Sequence, residues 1–146
     1  MIELVDNQNF EDILPLISAY QEFYRVKDIS TEKNRLFFSQ YNGGSDHGAQ
    51  YLYREGDEAI GFATIYFTYS SAITAKVAVL NDLYIKPNYR KRGKATELIR
   101  HCHNYGITNG ASRLQWLTEI SNKDAQIAYD KIGAKKSQWI FYTYAT

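Results

Sequence analysis

The hydrophobic positions near the start of the chain predict a short strand followed by two helices. Residues 2–5 are mostly apolar and form the predicted strand. A helix is predicted over residues 9–20, despite Pro15 near its first turn, because apolar side chains recur there at helical spacing. A second helix is predicted to follow, with Ser30 or Thr31 as its cap.

The middle of the chain reads as strands separated by turns. Glycines and polar residues over 41–48 predict a loop. Strands are then predicted at 50–54, 59–69 and 75–85. The turn-like residues 55–57 separate the first two of these strands, so we expect an antiparallel meander.

The last part of the chain alternates between helix and strand. The pattern predicts a helix around 95–102, a strand at 114–117, a helix at 125–132 and a last strand at 139–144. This order is typical of crossover connections, so the strand that ends at residue 85 and the strand at 114–117 should be parallel neighbours. The predicted fold class is α/β with a mixed sheet, in one domain over residues 1–146.

Composition supports a single folded domain and excludes several classes of protein. The chain is 45% hydrophobic and 23% charged, and its net charge of +1 provides no general field for nucleic acid or an anionic membrane. Acidic residues near the N-terminus and the lack of a long apolar run predict a cytoplasmic protein. His101, Cys102 and His103 cannot converge on one metal ion from adjacent helical positions, so no metal is expected and Cys102 is interpreted as a buried small residue.

The most informative stretch is the turn that joins the strand ending at residue 85 to the next helix. A glycine and four basic residues form it: Arg90, Lys91, Arg92, Gly93 and Lys94. Unpaired N–H groups at a helix start bind anions, and Gly93 would let a phosphate approach the main chain. The turn matches neither GxxxxGK[ST] nor GxGxxG. From these residues alone, solvated basic side chains in an ordinary turn remain an equal alternative.

The spacing Arg90-x-x-Gly93-x-Ala95 resembles the coenzyme A pyrophosphate motif of the GNAT N-acetyltransferase superfamily. A later segment is similar to the signature on that family's following helix: Asn122, Ala125, Tyr129 and Gly133. Within the superfamily, short strings resemble the small histone and polyamine acetyltransferase branch. The resemblance implies the order β-α-α-β-β-β-α-β-α-β, with parallel central strands that splay apart.

The resemblance also implies acetyl-CoA as cosubstrate. Backbone N–H groups from Arg92 to Ala95 would hold the pyrophosphate, and the N–H of Leu83 would stabilise the oxyanion. The positions implied in cofactor binding are Leu83, Tyr84, Ile85, Arg90, Lys91, Arg92, Gly93, Lys94, Ala95 and Asn122.

For catalysis, the resemblance implies direct attack by a primary amine, without a covalent enzyme intermediate. Tyr129 would donate a hydrogen bond to the departing sulfur. Polyamine-type relatives often place Glu immediately before the Asp of the central strand, whereas this chain has Asn81 there. Asp82 is therefore the first candidate for the base, acting through water, and Glu119 is the second.

The acceptor side of the family fold is built by the first two helices and their connection. Tyr20, Glu22, Tyr24 and Asp28 are the candidates there for binding a cationic amine, together with Glu119. The acceptor is expected to be a small molecule such as a polyamine or an amino acid.

Two other functions remain open at this point. One is acetylation of lysine in proteins or histones. The other is a non-catalytic acyl-CoA-binding module, which the departure at Asn81 keeps open. The aromatic residues at 139–144 could pair with a second copy, so a homodimer is expected.

Overall fold

The computed structural model describes residues 1–145, and the chain divides into two compact units. The first unit is Met1–Trp116 and the second is Leu117–Thr146. The assignment of residues 1–146 to one domain stays a prediction.

The observed elements follow the predicted order from the first strand to the helix at Lys123–Lys131. The first unit contains β1 (Ile2–Leu4), α1 (Phe10–Phe23), α2 (Thr31–Phe38), β2 (Gly48–Glu55), β3 (Glu58–Ser70), β4 (Ala75–Ile85), α3 (Lys94–Thr108) and β5 (Leu114–Gln115). Short 3₁₀ turns lie at Ser39–Tyr41 and Pro87–Tyr89. The second unit contains α4 (Lys123–Lys131).

The first unit is built on one five-stranded sheet with the order β1-β2-β3-β4-β5. Strands β1 to β4 pair antiparallel, which confirms the predicted meander. Strand β5 lies parallel to β4 and pairs Leu114 with Ala78 and Gln115 with Val79. The predicted parallel pair is therefore confirmed.

Helix α1 covers one face of this sheet. Its buried apolar stripe packs in a core with Leu52 of β2, Phe62 of β3 and Tyr84 of β4. The helix runs past the predicted end at Tyr20, and it tolerates Pro15 inside it. Helix α2 begins after Ser30, whose hydroxyl accepts a hydrogen bond from the Lys33 N–H at 3.2 Å, as the predicted cap requires.

Helix α3 covers the opposite face. Successive strand residues point to opposite sides of a sheet, and the rings of Tyr51 and Tyr53, unlike Leu52, contact α3. A Cβ on Gly106 would lie 2.9 Å from the Cβ of Ala78, so glycine lets α3 approach β4 closely. Cys102 is fully buried as predicted, and burial raises the pKa of its thiol to about 12.

Two predicted strands differ from the structure. Strand β5 ends at Gln115 rather than at residue 117. A bulge bends β4 just beyond Val79, so a straight neighbour cannot follow it further.

The described residues contain no strand over 139–144, so the prediction of a last strand is wrong for this chain by itself. Apolar and aromatic composition favours a strand, but a strand also needs a partner edge, and the large apolar side chains from Trp139 to Tyr144 are 76–97% exposed. No helix among residues 1–145 combines the length and apolar character needed to span a membrane.

Candidate active site

The site begins with an irregularity in β4. Thr64 of β3 pairs with Asp82, but Ile65, the next residue, pairs with Leu80. Asn81 is therefore an extra residue in β4, which is the definition of a β-bulge. Because side chains and main-chain groups alternate along a strand, one extra residue reverses the direction of every group beyond it.

Hydrogen bonds on either side of the bulge show this reversal. Before it, the Ala78 N–H donates to the Arg113 carbonyl at 3.0 Å, towards β5. After it, the Lys86 N–H donates to the Ile60 carbonyl at 2.8 Å, towards β3. Residues 78 and 86 would face the same way in a regular strand. The bulge therefore turns the N–H groups of Leu83 and Ile85 towards the edge that faces away from β3.

This edge of β4 is open over residues 80–85 in the described sheet, since β5 pairs only with Ala78 and Val79. The Ile85 carbonyl on the same edge accepts a hydrogen bond from the Arg90 side chain, Nε to O, at 2.7 Å. The edge therefore offers main-chain donors to an extended ligand, as an added strand would use them. The side chain of Tyr84, which was predicted to bind cofactor, is instead buried in the core.

The chain then turns tightly into α3. Lys91 and Gly93 both have positive φ, 63° and 76°, and Gly93 is the helix N-cap. The first helical hydrogen bond runs from the Glu97 N–H to the Gly93 carbonyl. The N–H groups of Lys94, Ala95 and Thr96 precede it, and no side chain caps them.

These N–H groups form an anion-binding end with the positive pole of the α3 dipole behind them. A Cβ on Gly93 would meet nothing within 4 Å, so the space in front of the main chain is open. The turn and the open edge of β4 thus fit an extended ligand that ends in phosphates, as coenzyme A does.

The four basic side chains of the turn do different things. Arg90 binds the Ile85 carbonyl, and its guanidinium lies over the rings of Phe23 and Tyr84 at 5.3 and 5.5 Å. Lys94 pairs with the Glu55 carboxylate at 3.0 Å. Lys91 and Arg92 are exposed beside Gly93. Lys91 and Arg92 are therefore the cations best placed to neutralise a bound phosphate.

Asp82 lies in the same strand but in a different environment. Its carboxyl group is buried, and that burial raises its pKa above the ordinary value, while the Thr64 hydroxyl, Tyr20 and Asn81 act in the opposite direction. The Asn81 amide Nδ2 donates to Asp82 Oδ1 at 3.3 Å, and Oδ2 is buried without a hydrogen-bond partner. A carboxylate with a raised pKa and one oxygen without a hydrogen-bond partner is suited to accept a proton from an amine.

The predicted acceptor residues separate into two groups. Tyr20 lies at the carboxylate. Burial, and then the charge of Asp82 and a hydrogen bond to it, therefore raise the pKa of the Tyr20 hydroxyl above its usual range. Its ring packs on Phe62 and Tyr84 and lies 4.9 Å from the ring of Tyr24.

The two acidic acceptor candidates differ from Tyr20 in exposure. Glu22 and Asp28 are exposed, and neither is among the groups that shift the pKa of Asp82. Tyr20 is therefore the predicted acceptor residue that the structure places at the carboxylate, with Tyr24 packed against its ring.

The second unit carries the other predicted residues. Asn122 caps α4, since its side-chain oxygen accepts the Ala125 N–H at 3.3 Å. Tyr129 is half-buried on α4, and its carbonyl accepts the Ala134 N–H. Glu119 is exposed and accepts a hydrogen bond from the Ser121 hydroxyl at 3.3 Å.

The sequence did not indicate Thr64, which lies directly across from Asp82, or Gln50, which lies across from Thr64 on the next strand. Both are polar residues that are fully buried within apolar strands, and they pair with each other in the β2–β3 register. A weak signal was present, since each interrupts a run of apolar residues at an inward position. Only the register could place them in line with Asp82.

Comparison with known proteins identifies the class. The sequence model of the acetyltransferase (GNAT) family matches residues 13–134. The chain belongs to this family, and it is an N-acetyltransferase whose cosubstrate is acetyl-CoA.

Individual relatives agree with this membership. The chain is 31% identical to uncharacterized N-acetyltransferase YhfO of Bacillus subtilis (strain 168), over 83% of this chain and 80% of the relative. It is 25% identical to the thialysine N-epsilon-acetyltransferase of Caenorhabditis elegans, over 90% of this chain and 80% of the relative. A crystal structure of a probable acetyltransferase superposes with a TM-score of 0.86 at 26% identity, covering 100% of this chain and 97% of the other.

Proposed function

We propose that this enzyme moves the acetyl group of acetyl-CoA to a primary amine of a small molecule by direct attack in a ternary complex. The observation that carries the proposal is the order of groups along β4. The buried Asp82 carboxylate is followed immediately by Leu83, whose N–H faces the open edge. A base and a carbonyl-binding donor are thus adjacent in one strand.

The donor half of the site uses main-chain groups. The N–H groups of Lys94 and Ala95 hold the pyrophosphate, with charge from Lys91 and Arg92. The N–H of Leu83 holds the acetyl carbonyl oxygen and stabilises the negative charge that develops there. The cofactor role of Arg90 is then indirect, because its side chain binds the end of β4.

The acceptor half removes a proton from the amine. An alkylammonium has a pKa near 10.4, so at neutral pH it must lose a proton before its lone pair can attack. One N–H bond of the ammonium breaks, and an O–H bond forms at Asp82 Oδ2 directly or through a water. The nitrogen lone pair then forms the bond to the acetyl carbon, the C–S bond of the thioester breaks, and a second proton passes from the nitrogen to the departing CoA sulfur. Tyr20 and Tyr24 supply aromatic faces for the cationic acceptor.

Three residues of the second unit keep the roles that the resemblance implies. Tyr129 donates a hydrogen bond to the departing sulfur, Asn122 holds the cofactor, and Glu119 is the second candidate for the base or for acceptor binding. Replacing Tyr129 by Phe removes the donor and should lower kcat about 10-fold, since one hydrogen bond to a charged group is worth about 1.5 kcal/mol. An unchanged kcat would remove this role.

The acceptor class is proposed from the site and from one relative. The Caenorhabditis elegans relative is named as a thialysine N-epsilon-acetyltransferase, so its acceptor is an amine of a small molecule. The buried Asp82 carboxylate and the aromatic rings of Tyr20 and Tyr24 suit such a cation. A release assay for free CoA thiol with polyamines, amino acids, aminoglycosides and a histone-tail peptide tests this class. Turnover with the peptide alone would replace the small-molecule assignment by protein lysine acetylation.

A homodimer and a cytoplasmic location remain proposals. Large apolar side chains at residues 139–144 are exposed, and a second copy could cover them. Light scattering at working concentration should give twice the mass of the chain, and a mass of one chain would contradict the dimer.

A further inference from the structure

A row of three polar side chains crosses the sheet beneath α1. Gln50 of β2 pairs with Thr64 of β3, and Thr64 pairs with Asp82 of β4, so the three residues lie in one line on one face. The adjacent row on this face is apolar and consists of Leu52, Phe62 and Tyr84. The polar row therefore interrupts the core that α1 covers.

All three members are buried, so their hydrogen bonds matter. Gln50 and Thr64 are 0% exposed and Asp82 is 6% exposed. Buried polar groups without partners are costly, and a chain retains them where they serve a purpose. If these positions served packing alone, apolar residues of similar volume would fill the same space without buried polar groups.

The hydrogen bonds in this row have a direction. Gln50 Nε2 donates to Thr64 Oγ1 at 2.8 Å. Because the Thr64 oxygen accepts there, its hydrogen is free to donate elsewhere, and Asp82 is the residue directly across from it. The Thr64 hydroxyl accordingly acts to lower the pKa of Asp82, against the effect of burial.

Two oxygens in the row have no partner. They are Gln50 Oε1 and Asp82 Oδ2, both buried. The row is therefore hydrogen-bonded at its centre, and it leaves one buried carboxylate oxygen, Asp82 Oδ2, with the capacity to accept a further hydrogen bond.

We propose that Gln50 and Thr64 are positioning residues for the Asp82 carboxylate. Gln50 orients the Thr64 hydroxyl, and Thr64 donates to Asp82, which keeps the buried carboxylate ionised and aims Oδ2 at the amine. This proposal rests on the proposed function, because it assigns a role to neighbours of the proposed base.

The other titratable groups around Asp82 belong to α1 and to the 3₁₀ turn after α2. Tyr20 and Tyr41 face it, and their pKa values are raised chiefly by burial and then by the charge of Asp82. Tyr66 of β3 lies beside Tyr41. Tyr20 and Tyr41 are therefore neutral throughout the working pH range, which leaves Asp82 as the group that titrates in this cluster.

The first test measures the Asp82 titration directly, by carbon-detected NMR of the carboxyl group in the free enzyme. The signal is assigned by its loss in Asp82→Asn. Thr64→Val should raise the pKa of Asp82 by about one unit, the size expected for losing one hydrogen bond to a charged group. Thr64→Ser keeps the hydroxyl and should restore the wild-type value. Thr68→Val makes the same change four residues along β3 and should leave it unchanged.

A variant of Gln50 tests whether Gln50 acts on Asp82 through the Thr64 hydroxyl. Gln50→Leu should raise the pKa of Asp82 by less than Thr64→Val does, because the amide acts through the hydroxyl. The double variant should show no more than the Thr64→Val shift, whereas independent effects would add. Urea unfolding transitions establish that each variant is folded, and if Thr64→Val does not fold, Gln50→Leu and Thr64→Ser decide.

The second readout is the acid limb of kcat/KM against pH, which reports groups of the free enzyme. In Thr64→Val, the midpoint of this limb should move to higher pH by the same amount as the Asp82 titration, while KM for acetyl-CoA stays unchanged. An unmoved titration in folded Thr64→Val overturns the proposal. A moved titration with an unmoved acid limb overturns it too, but leaves acetyl transfer intact. If no amine supports turnover, the proposed function fails separately, and the titration alone still decides whether Gln50 and Thr64 act on Asp82.

Discussion

Strand β4 and the turn after it contribute main-chain N–H groups to the site from Leu83 onward, whereas at Asp82 the strand contributes a buried side chain. From Leu83 onward, the strand and the turn after it offer main-chain N–H groups at an open edge and at a helix start. At Asp82, one residue earlier, a side chain is buried in a polar row under α1. The bulge at Asn81 precedes both parts, and it determines that the N–H groups of Leu83 and Ile85 face the open edge.

This difference predicts that the main-chain donors and the buried carboxylate respond differently to side-chain substitutions. A main-chain donor depends on backbone conformation, so most side-chain substitutions at Leu83 or Ala95 should leave it in place. A buried carboxylate depends on every neighbour that solvates it, so substitutions at Thr64 or Gln50 should alter it even without contact to a ligand.

The largest effect is expected at Leu83. Replacing Leu83 by its α-hydroxy acid analogue turns the N–H into an ester oxygen and keeps the side chain. We expect kcat to fall about 100-fold, since the loss of one oxyanion donor costs about 10² to 10³. The same replacement at Ile85 should raise KM for acetyl-CoA and leave kcat nearly unchanged. Equal kcat losses at both positions would show that Leu83 has no special role.

The next effect tests the helix start. Gly93→Val puts a β-branched side chain at a backbone φ of 76°. The new Cβ would meet no atom within 4 Å, so the substitution causes no clash. Its effects are backbone strain and a side chain in the path of an approaching phosphate. The dissociation constant for CoA should rise about 10-fold, or about 1.4 kcal/mol, because the new side chain occupies the space through which a phosphate approaches the N–H groups. Gly56→Val, at φ of 60° with similarly open space, is the matched control and should cost stability without changing CoA affinity. Equal CoA affinity in both variants would place the phosphates elsewhere.

A smaller effect is expected from the exposed cations. Removing Lys91 and Arg92 together by alanine substitution should weaken CoA binding about 3-fold at low salt, because exposed charges contribute little each. The salt dependence of CoA affinity should become shallower. The paired control, Lys33→Ala with Arg100→Ala, also removes two exposed cations and should change neither quantity. An unchanged salt dependence in the first variant would assign the charge to other residues.

The smallest effect concerns stability against pH. The pKa of Asp82 is raised in the folded enzyme, so the folded state binds more protons than the unfolded state between the ordinary value of 3.8 and the raised value. Stability contributed by this group therefore falls as pH rises through that window. Asp82→Asn should be more stable than wild type above the window, by a few degrees in Tm. The gain should shrink as pH falls towards 4, and a constant gain would contradict the raised pKa.

Local patterns predicted most of the elements and the phosphate end of the site. Strand β4 was predicted with its observed bounds, 75–85, and the cap at Ser30 was found in its expected place. The helix start at Gly93 is likewise local, because a glycine in a basic turn before an apolar periodicity determines it. Such features depend on neighbouring residues, which a sequence shows directly.

What could not be predicted depends on register and on distant partners. Nothing near Gln50 or Thr64 indicates that they align with Asp82, since a shift of one residue would turn each side chain to the other face. The bulge at Asn81 is also invisible in the sequence, although it determines which N–H groups reach the open edge. The strand predicted at 139–144 failed because composition supplies apolar side chains but no hydrogen-bonding edge.

The most direct measurement is the rate of CoA thiol release by wild type and Asp82→Asn with the best amine of the panel, run beside Asp57→Asn, which changes an exposed carboxylate in the β2–β3 turn. If Asp82 is the base, wild type should turn over, and Asp82→Asn should lose about 100-fold in rate with nearly unchanged affinity for CoA. Asp57→Asn should match wild type. Undiminished turnover in Asp82→Asn would contradict the role of Asp82, and CoA binding without turnover on any amine would contradict acetyl transfer to a small amine.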